Sequence, residues 1–157
     1  MEDLIHWYEN LNKVKDYLGK VDPKLLTVFN DVDKSGFKLY SVIKDPYTAL
    51  ICAIVGQKIT YKLAKSLRGQ LYSRHGSVLS PHIIINSDLV FLGNITETII
   101  KDVTLFILTY NINLNTEEGI RSLQNVKGIG LWTIETTILI SLMNWNIFPK
   151  GDKFLQK

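Results

Sequence analysis

The chain has 157 residues, of which 46% are apolar and 21% charged, and its net charge is +3. This is the size and composition of one globular domain with a substantial core. A single cysteine, Cys52, excludes disulfides and cysteine-ligated zinc or iron–sulfur clusters within the chain. The apolar runs are too short to cross a bilayer, and the acidic start Met1-Glu2-Asp3 is unlike a secretory signal. We therefore expect an intracellular protein, in the cytoplasm or, in a eukaryote, in the nucleus.

Apolar residues recur at helical spacing along the chain and no segment alternates as a strand does, so the predicted fold is all-α. The first predicted helix covers residues 2–18. Later helices are expected where a capping side chain precedes a proline or an acidic first turn. These predicted starts are Asp22-Pro23, Asp45-Pro46, Ser80-Pro81, Ser87-Asp88, Thr96-Glu97 and Thr116-Glu117. The helix after Asp22 is predicted to end near Asn30, ahead of a turn over Asp31–Gly36.

The helix that begins at Asp45-Pro46 is predicted to be long and to carry a cluster of basic residues. It is expected to run through Gln57 to His75-Gly76, with Gly56 marking close packing or a bend. No acidic residue occurs between positions 46 and 87, and the spacing of Lys58, Lys62 and Lys65 puts them on one helical face. A solvated helix face explains this pattern as well as a stripe that follows nucleic-acid phosphates does.

Two glycines mark the segment on which the functional prediction depends. Val126-Lys127-Gly128-Ile129-Gly130 predicts a tight hairpin between two helices, within a motif at about residues 117–143. The second helix is predicted over Leu131–Met143, and the N–H groups at its positive end can bind a phosphate. The predicted phosphate-binding residues are Lys127, Gly128, Ile129, Gly130 and Thr133. A plain helix–turn–helix connection is the alternative, and the glycines by themselves favour it.

Two sequence blocks together resemble a known family. GIGLWT followed by FPKGD resembles the hairpin and catalytic loop (here 145–152) of the helix-hairpin-helix Gly/Pro-Asp superfamily of DNA glycosylases. The match is closest to the 3-methyladenine DNA glycosylase II branch, whose hairpin reads G-(I/V)-G-P-W-T-A. The earlier block IVGQKITYKLAKSL resembles that branch's I-x-G-Q-Q-(I/V)-S-x-x-x-A helix. The resemblance implies one helix-hairpin-helix domain over residues 1–157 that binds double-stranded DNA, and we expect a monomer without a cofactor.

The resemblance also implies catalytic roles for two residues. Asp152 would be the carboxylate that stabilises an oxocarbenium-like sugar and activates water while the C1′–N bond breaks. Trp132 stands where the lyase branches have a Schiff-base lysine, which predicts a monofunctional glycosylase that leaves the abasic strand uncut. The indole face of Trp132 would suit a cationic alkylated purine, with a buried structural role as the alternative.

Further substrate contacts are implied at four positions. Gln57 and Lys58 would form the corner that fills the gap left by an extruded base, although the family usually has Gln or Leu at position 58. Tyr47 and Trp145 are candidate pocket walls, with core packing as the alternative. No metal ligands are predicted, except that family members hold a monovalent cation at the hairpin carbonyls.

The chain departs from the family at its end. It stops at Lys157, soon after Asp152, whereas family members continue with a further helix or more. The predicted fold is therefore a helix-hairpin-helix glycosylase bundle truncated at its C-terminus, either as a fragment or as a reduced protein. The leading prediction is a glycosylase that excises 3-methyladenine- and 7-methylguanine-type bases from duplex DNA in base excision repair. A catalytically impaired helix-hairpin-helix DNA-binding module is the runner-up, and a helical protein–protein adaptor is the third possibility.

Overall fold

The computed structural model describes residues 13–34, 43–144, 146, 147, 149 and 152. Every regular element in these ranges is a helix, which confirms the all-α prediction. None of the described helices combines the length and the apolar character that crossing a bilayer requires. The chain divides into two compact units, Met1–Ser41 and Val42–Lys157.

In the first unit, residues 13–21 are helical (α1) and are followed by α2, Pro23–Lys34. Asp22 caps the second helix, because its Oδ1 accepts a hydrogen bond from the Lys24 backbone N–H at 3.0 Å. The predicted end near Asn30 and the turn from Asp31 are wrong, since the helix continues through Lys34. No proline or glycine interrupts the chain before Ser35-Gly36, so helical hydrogen bonding continues to that point. Residues 1–12 of the first predicted helix lie outside the described residues.

The second unit is built around one buried helix, α3, Pro46–Val55. All ten of its residues are buried, and it packs mainly against the helix that follows the hairpin, Leu131–Ser141, and also against Asn94–Tyr110 and Tyr61–His75. A helix that is apolar on every side belongs in the centre of a domain. The other elements of this unit are α4 Tyr61–His75, α5 Pro81–Ile84, a 3₁₀ turn Val90–Leu92, α6 Asn94–Tyr110, α7 Glu117–Ser122, a 3₁₀ turn Leu123–Asn125 and α8 Leu131–Ser141.

Two of the predicted caps hold these helices in place. The Asp45 carboxylate accepts hydrogen bonds from the backbone N–H and the hydroxyl of Thr48, and Pro46 occupies the first turn of α3. Thr116 caps α7 by accepting a hydrogen bond from the Gly119 N–H at 3.1 Å. Local side-chain chemistry therefore determines where these two helices begin.

The predicted long helix is wrong, because it is divided into α3 and α4. The first ends at Val55 with Gly56 as its C-terminal cap, and the second begins after Thr60, whose hydroxyl accepts from the Leu63 N–H. The glycine and the threonine supply a stop and a new start within five residues, so the bend expected at Gly56 becomes a complete turn. Gln57 and Lys58 lie in this turn, and Lys58 does not share a helical face with Lys62 and Lys65.

The predicted cap of α6 is also wrong. The helix begins at Asn94 with Gly93 as its N-cap, and Thr96 lies inside the first turn. Gly93 has a φ of 87°, which redirects the chain three residues earlier than a cap at Thr96 would. Lys101, farther along α6, donates to the carbonyls of Ile84, Ile85 and Ser87 and so ties the helix to the end of α5.

Candidate functional site

The hairpin between α7 and α8 is anchored by two buried apolar side chains. Val126 and Ile129 are buried, whereas Lys127, Gly128 and Gly130 are exposed. The Ile129 N–H donates to the Val126 carbonyl at 3.1 Å, which closes the turn. The two buried side chains fix the hairpin to the core, and the exposed residues leave its backbone open to solvent.

The fold requires glycine at one of the two hairpin positions but not at the other. Gly128 has a φ of 91°, and an added Cβ would lie 2.6 Å from Cγ1 of Ile99 on α6. Gly130 has an ordinary extended conformation, with φ −96° and ψ 172°, and no atom lies within 4 Å of an added Cβ. The fold therefore requires the first glycine, while the second leaves open space at the start of α8.

The N-terminus of α8 has the geometry of an anion site. Its first helical hydrogen bond runs from the Ile134 N–H to the Gly130 carbonyl at 3.2 Å, and no side chain caps Gly130. The N–H groups of the three residues after Gly130 therefore have no partner within the helix, and they carry the positive end of its dipole. Phosphates bind to such helix ends.

Gln57 joins the turn between α3 and α4 to the hairpin. Its Nε2 donates to the Gly128 carbonyl at 3.1 Å and to Oγ1 of Thr133 at 2.8 Å. Thr133 is buried in the first turn of α8, so its hydroxyl faces the α3–α4 turn rather than solvent. The two sequence blocks that resemble the glycosylase motifs are therefore in direct contact.

The α3–α4 turn, Gly56–Thr60, is supported from beneath by Arg68. Its Nε and Nη2 both donate to the Cys52 carbonyl, at 3.0 and 2.7 Å, near the C-terminus of α3. An added Cβ on Gly56 would lie 2.6 Å from Nη2 of the same guanidinium, so a larger residue there would displace Arg68 from this position. Lys58 is exposed at the top of the turn with a φ of 56°, a conformation uncommon for lysine.

The predicted catalytic carboxylate lies beside the predicted pocket tryptophan. Nε1 of Trp132 donates to Oδ2 of Asp152 at 3.1 Å, and the Asp152 N–H donates to the Pro149 carbonyl. Both side chains are partly buried. An indole N–H bound to a carboxylate fixes the orientation of that carboxylate. Trp132 is the second residue of α8, so the carboxylate that it binds lies close to the uncapped start of this helix.

The chain is similar to a curated protein and to a solved structure. No family model matches the chain. The DNA-3-methyladenine glycosylase 1 of Schizosaccharomyces pombe is 28% identical over 123 residues, which is 69% of this chain and 54% of that protein. A solved structure of the S. pombe 3-methyladenine DNA glycosylase in complex with abasic DNA matches with a TM-score of 0.64 at 23% identity, covering 74% of this chain and 64% of that one.

The chain has the fold of a DNA glycosylase. This confirms the predicted fold class. The chain spans about half the length of the curated relative that it matches.

Within the glycosylase fold, the structure brings together most of the predicted site residues but not Tyr47. That side chain lies near the opposite end of α3, about 15 Å of helix away from the α3–α4 turn. It is buried, and its hydroxyl hydrogen-bonds with the Thr104 hydroxyl at 2.7 Å, while burial raises the pKa of the phenol. Tyr47 borders an open cavity of about 490 Å³ on that side of the domain. Trp145, the other predicted pocket wall, lies outside the described residues.

The sequence prediction missed two supporting groups. The sequence pattern indicates only a positive charge at Arg68, whereas in the structure its guanidinium donates two hydrogen bonds to a carbonyl near the end of α3. The sequence predicts Thr133 as a phosphate-binding residue, whereas in the structure its hydroxyl accepts a hydrogen bond from Gln57. The Gly128 carbonyl also accepts from Gln57, and cation binding at the hairpin carbonyls stays a prediction. Spacing along the chain carries no signal for such contacts, because they join residues far apart in sequence.

Proposed function

We propose that this chain is a helix-hairpin-helix DNA N-glycosylase that acts in base excision repair. Its substrates would be bases of the 3-methyladenine and 7-methylguanine type in duplex DNA, and it would leave the abasic strand uncut. The observation that carries the proposal is the 3.1 Å hydrogen bond between Trp132 and Asp152 beside the uncapped start of α8. An aromatic face, a carboxylate and an anion site within one region are the groups that this reaction needs.

Each group would act on a different part of the damaged nucleotide. The N–H groups at the start of α8 would hold a backbone phosphate, which fixes the position of the strand. The extruded base would stack on Trp132, whose electron-rich face attracts a positively charged alkylpurine. The Asp152 carboxylate would then lie near the sugar, because the same indole holds it.

The chemical step would be hydrolysis of the C1′–N bond. The electron pair of that bond leaves with the cationic base, which departs as a neutral molecule. Asp152 would stabilise the positive sugar, and water would add to C1′ and give up its proton to the carboxylate or to solvent. Trp132 has no amine with which to form a Schiff base, and this supports the absence of strand cutting.

Base release from a methylated duplex tests the proposal, with the wild type beside Asp152→Asn. The asparagine keeps an oxygen that can accept the Trp132 N–H, so the pocket should keep its shape while the negative charge is lost. We expect strand cutting only after hot alkali, and only with the wild type. Equal release by the two proteins would contradict the role of Asp152, and cutting without alkali would contradict the monofunctional assignment.

A DNA-binding module without glycosylase activity is the second candidate. It is favoured by the uncapped and exposed start of α8, which can bind a phosphate without any glycosylase chemistry. Duplex binding by the wild type and Asp152→Asn alike, without base release by either, would select it. We further propose a monomer located in the cytoplasm or nucleus, and light scattering of the purified protein with and without duplex tests the oligomeric state.

A further inference from the structure

The NH₂ group of Gln57 donates both of its hydrogens within the protein. A glutamine NH₂ group has two hydrogens, and here one points to the Gly128 carbonyl and the other to Oγ1 of Thr133. Both acceptors belong to the hairpin and the first turn of α8. An NH₂ group that donates both hydrogens inward has no donor left for a base, and its two bonds hold the side chain against the hairpin.

The two acceptors lie on either side of the uncapped helix start. Gly128 precedes Gly130 by two residues, and Thr133 follows it by three. Gln57 therefore constrains the angle between the hairpin and α8, which sets the directions of the N–H groups at the anion site. The constraint comes from the α3–α4 turn, whose base is held by Arg68.

The residue that follows Gln57 depends on the same bonds. Lys58 is exposed and has a left-handed backbone with a φ of 56°. Such a conformation persists in a non-glycine residue when its surroundings hold it. Gln57 is bonded to the hairpin on one side, and Thr60 caps α4 on the other, so Lys58 is presented at a set position relative to α8.

We propose that Gln57 is a positioning residue that joins the turn Gly56–Thr60 and the hairpin Val126–Gly130 into one rigid DNA-binding edge. The inference rests on the proposed function. In it, Gln57 acts on DNA through the orientation of the α8 N–H groups and of the Lys58 ammonium, and makes no base contact of its own. A duplex backbone would meet two positively polarised groups at a fixed spacing.

Substitutions on both sides of the hydrogen bond test this inference. Gln57→Met keeps the length of the side chain without its donors, and Thr133→Val keeps the shape of the threonine without Oγ1. Thr133→Ser retains the acceptor. Gln70→Met is the matched control, because Gln70 is exposed on α4 and the same chemical change there leaves the edge intact. The affinity of each protein for a duplex with a tetrahydrofuran abasic-site analogue is measured, together with its thermal unfolding.

We expect Gln57→Met and Thr133→Val each to weaken duplex binding about tenfold, which is the effect of one or two lost hydrogen bonds. Thr133→Ser and Gln70→Met should remain within about twofold of the wild type. The double variant should lose less than the product of the single losses, because both changes remove the same bond. Amide hydrogen exchange in the hairpin, without DNA, should become faster in Gln57→Met but not in Gln70→Met.

A purely structural glutamine would behave differently. Gln57→Met would then lower the unfolding temperature while the folded protein kept wild-type duplex affinity, and that result overturns the inference. Independent losses in the double variant overturn it as well. Failure of the proposed function is seen separately, as a wild type that binds the duplex and releases no base, because the affinity comparison still applies to that protein.

Discussion

The two hairpin glycines allow the requirements of folding and of DNA binding to be separated by experiment. We compare Gly128→Ala with Gly130→Ser. The first introduces a Cβ where φ is 91° and where Cγ1 and Cδ1 of Ile99 would lie 2.6 and 2.7 Å away. The second introduces a side chain in an extended conformation with no atom within 4 Å. The two positions are two residues apart in sequence, but their structural demands are opposite.

The expected stabilities follow from these distances. A left-handed conformation costs an ordinary residue about 1–2 kcal/mol, and displacing the isoleucine adds about 1–3 kcal/mol. Gly128→Ala should therefore lower the free energy of unfolding by about 2–5 kcal/mol. Serine is a better N-cap than glycine by a few tenths of a kcal/mol, so Gly130→Ser should leave stability unchanged or slightly raised.

The serine variant, which should leave stability unchanged, is the one expected to lose DNA affinity. The serine side chain at position 130 would occupy the open space at the start of α8, and its hydroxyl would compete for the N–H groups that we assign to phosphate. Gly130→Ser should weaken duplex binding about tenfold or more, the loss expected for one charge-assisted contact. Urea unfolding and fluorescence anisotropy with a labelled duplex measure the two quantities on the same samples.

Two results would refute this reasoning. A stable Gly128→Ala would mean that Ile99 yields without cost and that the hairpin does not depend on the left-handed glycine. A Gly130→Ser variant with wild-type duplex affinity would mean that no phosphate approaches the start of α8.

Three further predictions concern other parts of the domain. Trp132→Phe keeps an aromatic face but loses the N–H that holds Asp152. Single-turnover base release should therefore slow about tenfold while duplex affinity stays unchanged. An unchanged rate would contradict the orienting role of the indole. Lys101→Met removes an ammonium that donates to three carbonyls, and urea unfolding should show a loss of about 1.5–3 kcal/mol, with wild-type base release by the folded fraction as the control. The hydrogen bond from Arg121 is the main cause that lowers the pKa of Glu117. The contribution of Glu117 to stability is therefore present above the ordinary carboxyl pKa and is lost as the pH falls through the lowered pKa. Glu117→Gln should flatten that acid part of the pH–stability curve, and an unchanged curve would show that the ion pair contributes nothing.

The sequence by itself determined the features that depend on nearby residues. Helical spacing predicted the all-α fold, and the caps at Asp45 and Thr116 predicted two helix starts, because a cap acts within three residues. The glycine pattern of the hairpin predicted its turn for the same reason. Where local signals competed, the prediction failed: Gly56 and Thr60 divide a helix that apolar periodicity alone extends across them.

Only the tertiary structure decided which of these features meet. Gln57 reaches Gly128 and Thr133 across more than seventy residues of sequence, and the indole of Trp132 reaches Asp152 across twenty. Tyr47 lies only ten residues before Gln57 in sequence, yet α3 separates the two by nearly its whole length. Such contacts depend on how α3 and α8 pack around a common core. Packing is the sum of many apolar contacts between distant segments, and spacing along one segment contains no information about it.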